Sequence, residues 1–270
     1  GVISITLFPP PNGMADLEHE LERTFGLQEA VVVPVSNPGH HPTVVRELGP
    51  AAAECLNRCI SGDEVIATAW GTSILAMADA LPYRSWPGVT VVQLLGGLGP
   101  VETLEHSAEL TQHLARKLGA RLRLLPAPGV VASRQMAEAL KSDAQISAAL
   151  KLAAEADIAL VGLGTPTPYS IVLRTGTILS VEELDRLQDL GAVGDIALRY
   201  MDSEGSPIDL EINDRIIGLT IDQIRNIPRV IGIAGGTAKH EMIRAALRGK
   251  ILDVLVTDLA TAEALLARKH

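Results

Sequence analysis

Aromatic side chains make up only 3% of the 270 residues. A core built without them rests on Leu, Val, Ile and Ala, and no aromatic platform stands among positive charges. Positive charge is itself scarce: 23 Lys and Arg face 32 Asp and Glu, a net charge of −9. A chain with no basic run lacks the electrostatic footprint of a nucleic-acid binder, so direct DNA contact by these residues is not expected. An acidic shell still leaves room for one anionic ligand held by a few local cations and helix N-termini. Cysteine is limited to Cys55 and Cys59. They lie four apart in a helical pattern, with no second Cys or His pair at zinc spacing, which predicts buried thiols rather than a metal site and points to a reducing, cytoplasmic compartment. No apolar run reaches the about 18 residues of a membrane span, and no leader pattern is visible. A GxGxxG turn with an acidic residue about 20 positions on is also missing, which argues against a dinucleotide-dependent dehydrogenase.

What the chain does have is apolar content, 47% by residue, arranged in short continuous runs. Val31 to Val35, Val65 to Thr68, Val89 to Leu95, Arg121 to Pro126, Asp157 to Leu163, Arg229 to Ile233 and Leu252 to Val256 read as strands. Helical patterns separate them: Met14 to Phe25, Val44 to Ile60, Val101 to Leu118, Ser133 to Lys141, Asp143 to Ala156 and Ser180 to Leu190 among others. The last opens on a capping box, Ser180 with Glu183. Val2 to Leu7 alternates like one more strand, so the chain is expected to start at the edge of a fold, as an excised domain would. Ser206 to Leu219 alternates weakly and suggests a hairpin or peripheral arm. Strands alternating with helices predict an α/β fold with a doubly wound, mostly parallel sheet. Ligands in such sheets sit beyond the strand C-termini.

The polar turns fall at those ends. Val65 to Thr68 runs into Trp70-Gly71-Thr72-Ser73 and then a good helix former, ILAMADAL. Free N–H groups, two hydroxyls and the helix dipole make a phosphate cradle there, although Thr72 or Ser73 as a simple helix cap accounts for the same residues. At Ala234-Gly235-Gly236-Thr237-Ala238-Lys239-His240, one of only six lysines stands in a helix's first turn, against the dipole. A bound anion explains the placement; an ordinary surface lysine is the alternative. Asp195 lies among small and apolar residues in GAVGDI, where a carboxylate pairs structurally or faces a ligand. Gln93 is the one polar side chain near the third strand's end, facing ligand or solvent, and Gly96-Gly97 follows it. His40 and His41 are adjacent in the loop 36–42 with no further ligand in reach, and are expected to be solvated.

In order along the chain, LEHELERTFGLQEAVVVP, EVIATAWGTSI, VVQLLGG, LPAPG, ADIALVGLG, GAVGDI, VIGIAGGTAKHEMIRAALRG and LDVLVTDLATAEALL resemble the sugar-binding, effector-sensing domain of SorC/DeoR-type bacterial transcriptional regulators. The resemblance implies a Rossmann-like fold similar to phosphosugar isomerases, a phosphorylated sugar as effector, no catalysis and no cofactor. It also implies a homodimer or homotetramer, and DNA contact only through an N-terminal helix-turn-helix segment that these 270 residues lack, so that 1–270 form one effector-binding domain. It matches Gly71, Thr72, Ser73 and Lys239 to phosphate binding, Asp195 to the sugar hydroxyls, and Gly96 and Gly97 to a loop that closes on ligand beside Gln93. Leu94 and Leu95 stand where some relatives have a cation, which favours a singly phosphorylated sugar. A phosphosugar isomerase or deaminase on the same architecture is the competing reading, with His240 and Asp195 as its candidate proton carriers.

Overall fold

Strands buried on both faces read as unbroken apolar runs, and such runs form the centre of a parallel sheet here. A computed structural model of the chain describes residues 12–97, 101–165 and 181–267. The expected strand over 2–7, the glycine at 99 and the cap at Ser180 lie outside them. Seven strands form one sheet: β1 (Glu29–Val33), β2 (Val65–Thr68), β3 (Thr90–Gln93), β4 (Arg121–Arg123), β5 (Ile158–Gly162), β8 (Val230–Ile233) and β9 (Val254–Asp258). Their order is β1-β9-β8-β5-β2-β3-β4, and every pair is parallel. A separate antiparallel hairpin joins β6 (Gly194–Ile196) to β7 (Arg199–Met201). The helices include α1 (Asn12–Phe25), α2 (His41–Cys59), α3 (Thr72–Ala80), α4 (Val101–Leu118), α5 (Arg134–Lys141) and α6 (Ala144–Ala154).

The connectivity runs outward in two directions from the middle. β2, β3 and β4 proceed to one edge; β5, β8 and β9 proceed toward the other. Neighbouring strands β2 and β5 therefore mark the place where the winding reverses, and a crevice opens at such a point beyond the strand ends. The two edges depart from the buried pattern. β1, expected to be buried on both faces, alternates between half-buried and buried residues because it has only β9 as a neighbour. β4 stops at Arg123, with exposed arginines flanking Leu122, a charged edge that resists pairing with another chain.

Close backbone packing places α3 on α2. A methyl group on Gly49 would stand 2.7 Å from the Ala76 carbonyl oxygen. Only a residue without Cβ lets the two helices approach this far, and the contact sets the N-terminus of α3 beside that of α2.

The expected arm over Ser206 to Leu219 takes another form. It holds a short helix, Ile212–Arg215, and three isolated bridges, Leu95 with Gly218, Val130 with Ile216 and Met201 with Pro207. The hairpin lies earlier, at 194–201. Arg199 of β7 clamps the two regions together. Its buried guanidinium donates to the carbonyl oxygens of Leu219 (2.9 Å), Asn213 (2.9 Å) and Gly218 (3.3 Å). Burial lowers its pKa to about 10. A lysine has one nitrogen and cannot span three acceptors. Arg199→Lys should therefore lower unfolding free energy by about 2–4 kcal/mol, because hydrogen bonds from a charged donor are worth about 1.5–3 kcal/mol each. Urea unfolding checks this; an unchanged midpoint would show that the clamp is dispensable.

Candidate functional site

Beyond the C-terminal ends of β2, β5 and β8 lies a cavity of about 510 Å³. Its walls come from the turns that follow those strands, the tip of the β6–β7 hairpin and the loop before α2. Gly71, Thr72, Ser73, Asp195 and Lys239, named from the sequence as candidate ligand contacts, all line it. More than 160 positions separate the first of these from the last, and the sheet's crossovers bring them to one place.

The β2–α3 turn has a physical reason for glycine. Gly71 holds φ 134° and ψ 163° as the N-cap of α3, a conformation that side chains rarely adopt. A glycine cap offers no side-chain acceptor, so the first N–H groups of α3 are left for water or a ligand. Neither hydroxyl caps the helix through the Gly71 position. Thr72 Oγ1 lies 3.4 Å from His41 Nε2, and Ser73 is buried.

Facing that turn is the loop after β8. Gly236, at φ 91°, donates its N–H to Asp258 Oδ2 (2.6 Å) and to Thr261 Oγ1 (3.1 Å). Asp258 is fully buried and also accepts from the Thr261 N–H and hydroxyl. A methyl on Gly235 would stand 2.3 Å from the same carboxylate. Asp258 thus anchors the loop from behind, and a short 3-10 turn, Thr237–Lys239, carries the lysine forward. Lys239 Nζ donates to the Leu163 carbonyl at 2.6 Å. Burial depresses its pKa to about 8, with Asp195 pulling the other way.

Asp195 sits in β6, bridged to Gly164 by reciprocal backbone bonds of 2.9 and 3.1 Å. A Cβ on Gly164 would lie 2.1 Å from Asp195 Oδ1, so the glycine is what admits the carboxylate. Burial raises the Asp195 pKa to about 6, against the Leu198 N–H bond (3.0 Å) and the Lys239 charge, which both lower it. The two residues between β6 and β7 are Ala197 and Leu198, at φ 51° and 65°. This is a two-residue hairpin turn with both positions left-handed, normally given to Asn and Gly. Non-glycine residues held there cost about 1–3 kcal/mol each. Both line the cavity, and the Asp195 carboxylate holds the Leu198 N–H in place.

Four candidates fall outside this cavity, for reasons of packing. Gln93 is buried, and its Oε1 accepts from the Leu125 N–H at 2.8 Å, tying the end of β3 to the chain beyond β4. It meets neither solvent nor the cavity. Gly96 and Gly97 donate to the carbonyls of Ile217 (2.9 Å) and Ala127 (3.0 Å). A methyl on Gly96 would stand 2.4 Å from Ala127 O. Their glycine character answers to backbone crossing at this point. His240 is also absent from the cavity wall; its neighbours are Asp258 and Arg244, and its Nε2 is buried without a hydrogen-bond partner. His41 corrects the opposite way. Expected in a solvated loop, it opens α2 and lines the cavity. Burial, followed by the charge of Lys239, lowers its pKa. The Pro42 just after it, a residue favoured at a helix's first turn, was the available signal for that helix start. Among the described residues no cluster of His, Cys, Asp and Glu is arranged to hold a metal ion.

This geometry has counterparts in known proteins. Residues 9–267 match the family of sugar-binding domains. The deoxyribonucleoside regulator of Bacillus subtilis (strain 168) is 32% identical over 265 residues, which cover 98% of this chain and 84% of that protein. A DeoR family transcriptional regulator from Listeria monocytogenes superposes with a TM-score of 0.87 at 30% identity, over 94% of this chain and 100% of that one. The full-length sorbitol operon regulator SorC from Klebsiella pneumoniae superposes with a TM-score of 0.85 at 28% identity, covering 99% of this chain and 85% of that one. With a parallel sheet that reverses at β2 and β5, a cavity at that reversal and a family match across nearly its whole length, the chain belongs to the sugar-binding domains of SorC/DeoR-type transcriptional regulators.

Proposed function

We propose that the cavity binds a singly phosphorylated sugar and that occupancy changes DNA binding by a regulator in which this chain is the sensing domain. One observation carries the reading: an uncapped helix N-terminus with two hydroxyls, Thr72 and Ser73, shares one cavity with the half-buried ammonium of Lys239 and the carboxylate of Asp195. A phosphate dianion takes N–H groups, hydroxyls and an ammonium as donors. Sugar hydroxyls donate to a carboxylate. The two kinds of partner are both present, and among the described residues the wall holds no second cluster of cations. Ligand that prefers one arrangement of the assembled regulator shifts its population toward that arrangement. A homodimer or homotetramer is the assembly this reading requires.

A thermal-shift series with sugar phosphates and their unphosphorylated parents tests it, because a ligand that binds only the folded state raises the midpoint by mass action. A rise with one phosphorylated sugar and none with its parent is the expected result. No rise with any member in folded protein would sink the proposal. The Asp195 carboxyl, pushed up to about 6, also has the proton affinity of a general base, which favours an isomerase as the second reading. Interconversion of sugar phosphates by the purified chain would reverse the order of the two.

Affinity should also follow pH in a definite direction. Lys239, lowered to about 8, loses its charge above that pH. A phosphate becomes a dianion above a pKa of about 6, and Asp195 ionises near the same value. Binding should therefore be tightest between about pH 6 and 8, weakening by about tenfold per unit above 8. Calorimetric titration from pH 5 to 9.5 reads this; affinity constant up to pH 9.5 would remove the Lys239 charge from the site. Without ligand the same two groups act on stability. The folded pKa of Asp195 lies above its ordinary 3.8, so stability falls as pH rises from about 4 to 6. The folded pKa of Lys239 lies below its ordinary 10.5, so stability recovers as pH rises beyond about 8.

A further inference from the structure

At the end of α2 remote from the cavity, Cys59 and Cys55 stand one helical turn apart. Cys59 is partly exposed; Cys55 is fully buried. The Cys59 sulfur accepts a hydrogen bond from Arg229 Nη1 at 3.1 Å, and in its thiol form it donates to the Cys55 carbonyl oxygen at 3.2 Å. Arg229 is steadied by Gln28, whose Oε1 accepts from its Nε at 3.3 Å. Other charges face the site from each side. Glu29 of β1 opposes ionisation of Cys59, but Arg58 of α2 pairs with Glu29 and offsets it. Asp253 lies near Arg229 and bonds Gln28.

From this cluster we propose that Cys59 is a modification site: a thiolate activated by Arg229, open to soft electrophiles and hydroperoxides. A guanidinium donating to one partly exposed sulfur stabilises the anion, and the thiolate is the reactive form. The neighbouring Cys55 thiol and then Arg229 bring the Cys59 pKa down to about 6, while Cys55 moves up through the same pairing and through burial. With a hydroperoxide as oxidant, the Cys59 sulfur attacks one peroxide oxygen. The O–O bond breaks, the leaving oxygen takes a proton, and the sulfur is oxidised by two electrons to sulfenic acid. Helical residues four apart keep their Cβ atoms about 5–6 Å from each other, whereas a disulfide needs about 3.5–4.5 Å. An intact last turn of α2 therefore closes the disulfide route and leaves the sulfenic acid to be trapped, or to be oxidised further by excess peroxide.

Iodoacetamide and hydrogen peroxide are the probes. Alkylation of the native chain, followed by peptide mass spectrometry from pH 5 to 9, should give a midpoint near about 6 at Cys59 and leave Cys55 unlabelled. Arg229→Gln should slow labelling at pH 6 by about tenfold. A thiol of pKa about 8.5 is only about 0.3% ionised there, and the roughly tenfold higher nucleophilicity of its anion recovers part of the loss. Peroxide followed by dimedone should place one adduct on Cys59. A wild-type midpoint at 8 or above overturns the proposal without reference to any variant. So does the absence of the dimedone adduct, and a Cys55–Cys59 disulfide in its place would show that the last turn unwinds and would overturn the sulfenic-acid product.

Discussion

Replacing Lys239 by methionine should weaken sugar-phosphate binding about 10- to 150-fold, the equivalent of one charge-assisted hydrogen bond of about 1.5–3 kcal/mol, and leave the unphosphorylated parent sugar nearly unaffected. The apo protein should not be destabilised to match. Burial lowers the Lys239 pKa despite the neighbouring Asp195, which means that the folded protein holds this ammonium at a cost. Methionine has similar length and no charge, so the cost disappears together with the bond to the Leu163 carbonyl. The two nearly cancel. Titration calorimetry with a matched sugar and sugar phosphate, beside a thermal melt of the apo variant, separates affinity from stability. Equal losses for both ligands would remove Lys239 from the phosphate. A collapse of the apo melt would make it a structural residue.

Asp195→Asn should reduce affinity for the sugar phosphate and for its parent alike, by at least about tenfold, the cost of about one charged hydrogen bond. The amide keeps an oxygen for the Leu198 N–H, so the left-handed turn at Ala197 and Leu198 retains its anchor. What it loses is charge. The carboxyl pKa is raised to about 6 mainly by burial, so at neutral pH the folded state carries an unfavourably placed anion, and the variant should melt at or above the wild-type temperature. A second effect compounds the first. Asp195 supports the charge on Lys239, so its removal lowers the fraction of charged lysine at pH 7. The double variant Asp195→Asn, Lys239→Met should consequently lose less affinity than the two single losses combined, because the residues act on one ligand through one shared field. Strict additivity would mean that they do not communicate. An unfolded Asp195→Asn would show that the carboxylate is needed for the hairpin itself.

Both variants trade in the same currency: site groups held in an environment that disfavours them until ligand arrives. The hairpin tip at Ala197 and Leu198 adds backbone strain at the same wall. Such a cavity gains more from a ligand than its contacts alone suggest, since the ligand relieves a burial cost already present.

Residue pattern alone determined the local half of this protein. β2, β8 and β9 are buried strands because each opens on a run of Val, Ile or Leu, with Thr68, Thr257 and Asp258 coming only at the strand ends, and the helical periods between them point to parallel crossovers. Glycine at 71, hydroxyls at 72 and 73 and a lysine in a helix's first turn stand out in the sequence as candidates for anion chemistry, and the fold brings all four to one cavity. The order of motifs along the chain pointed to the family. Tertiary structure decided the rest, because it concerns which distant backbones meet. Gln93 and Gly96–Gly97 have the composition of a ligand loop, yet the segments 125–128 and 216–219 cross there and take up their hydrogen bonds. His41 became a cavity residue only when Gly49 let α2 close on α3. The hairpin at 194–201 could not be read from Ala-Leu, since its turn is imposed by Asp195, Gly164 and the Arg199 clamp against local preference. Spacing along a chain states what each residue favours; only packing states which of those preferences are overruled, and here the overruled ones line the cavity.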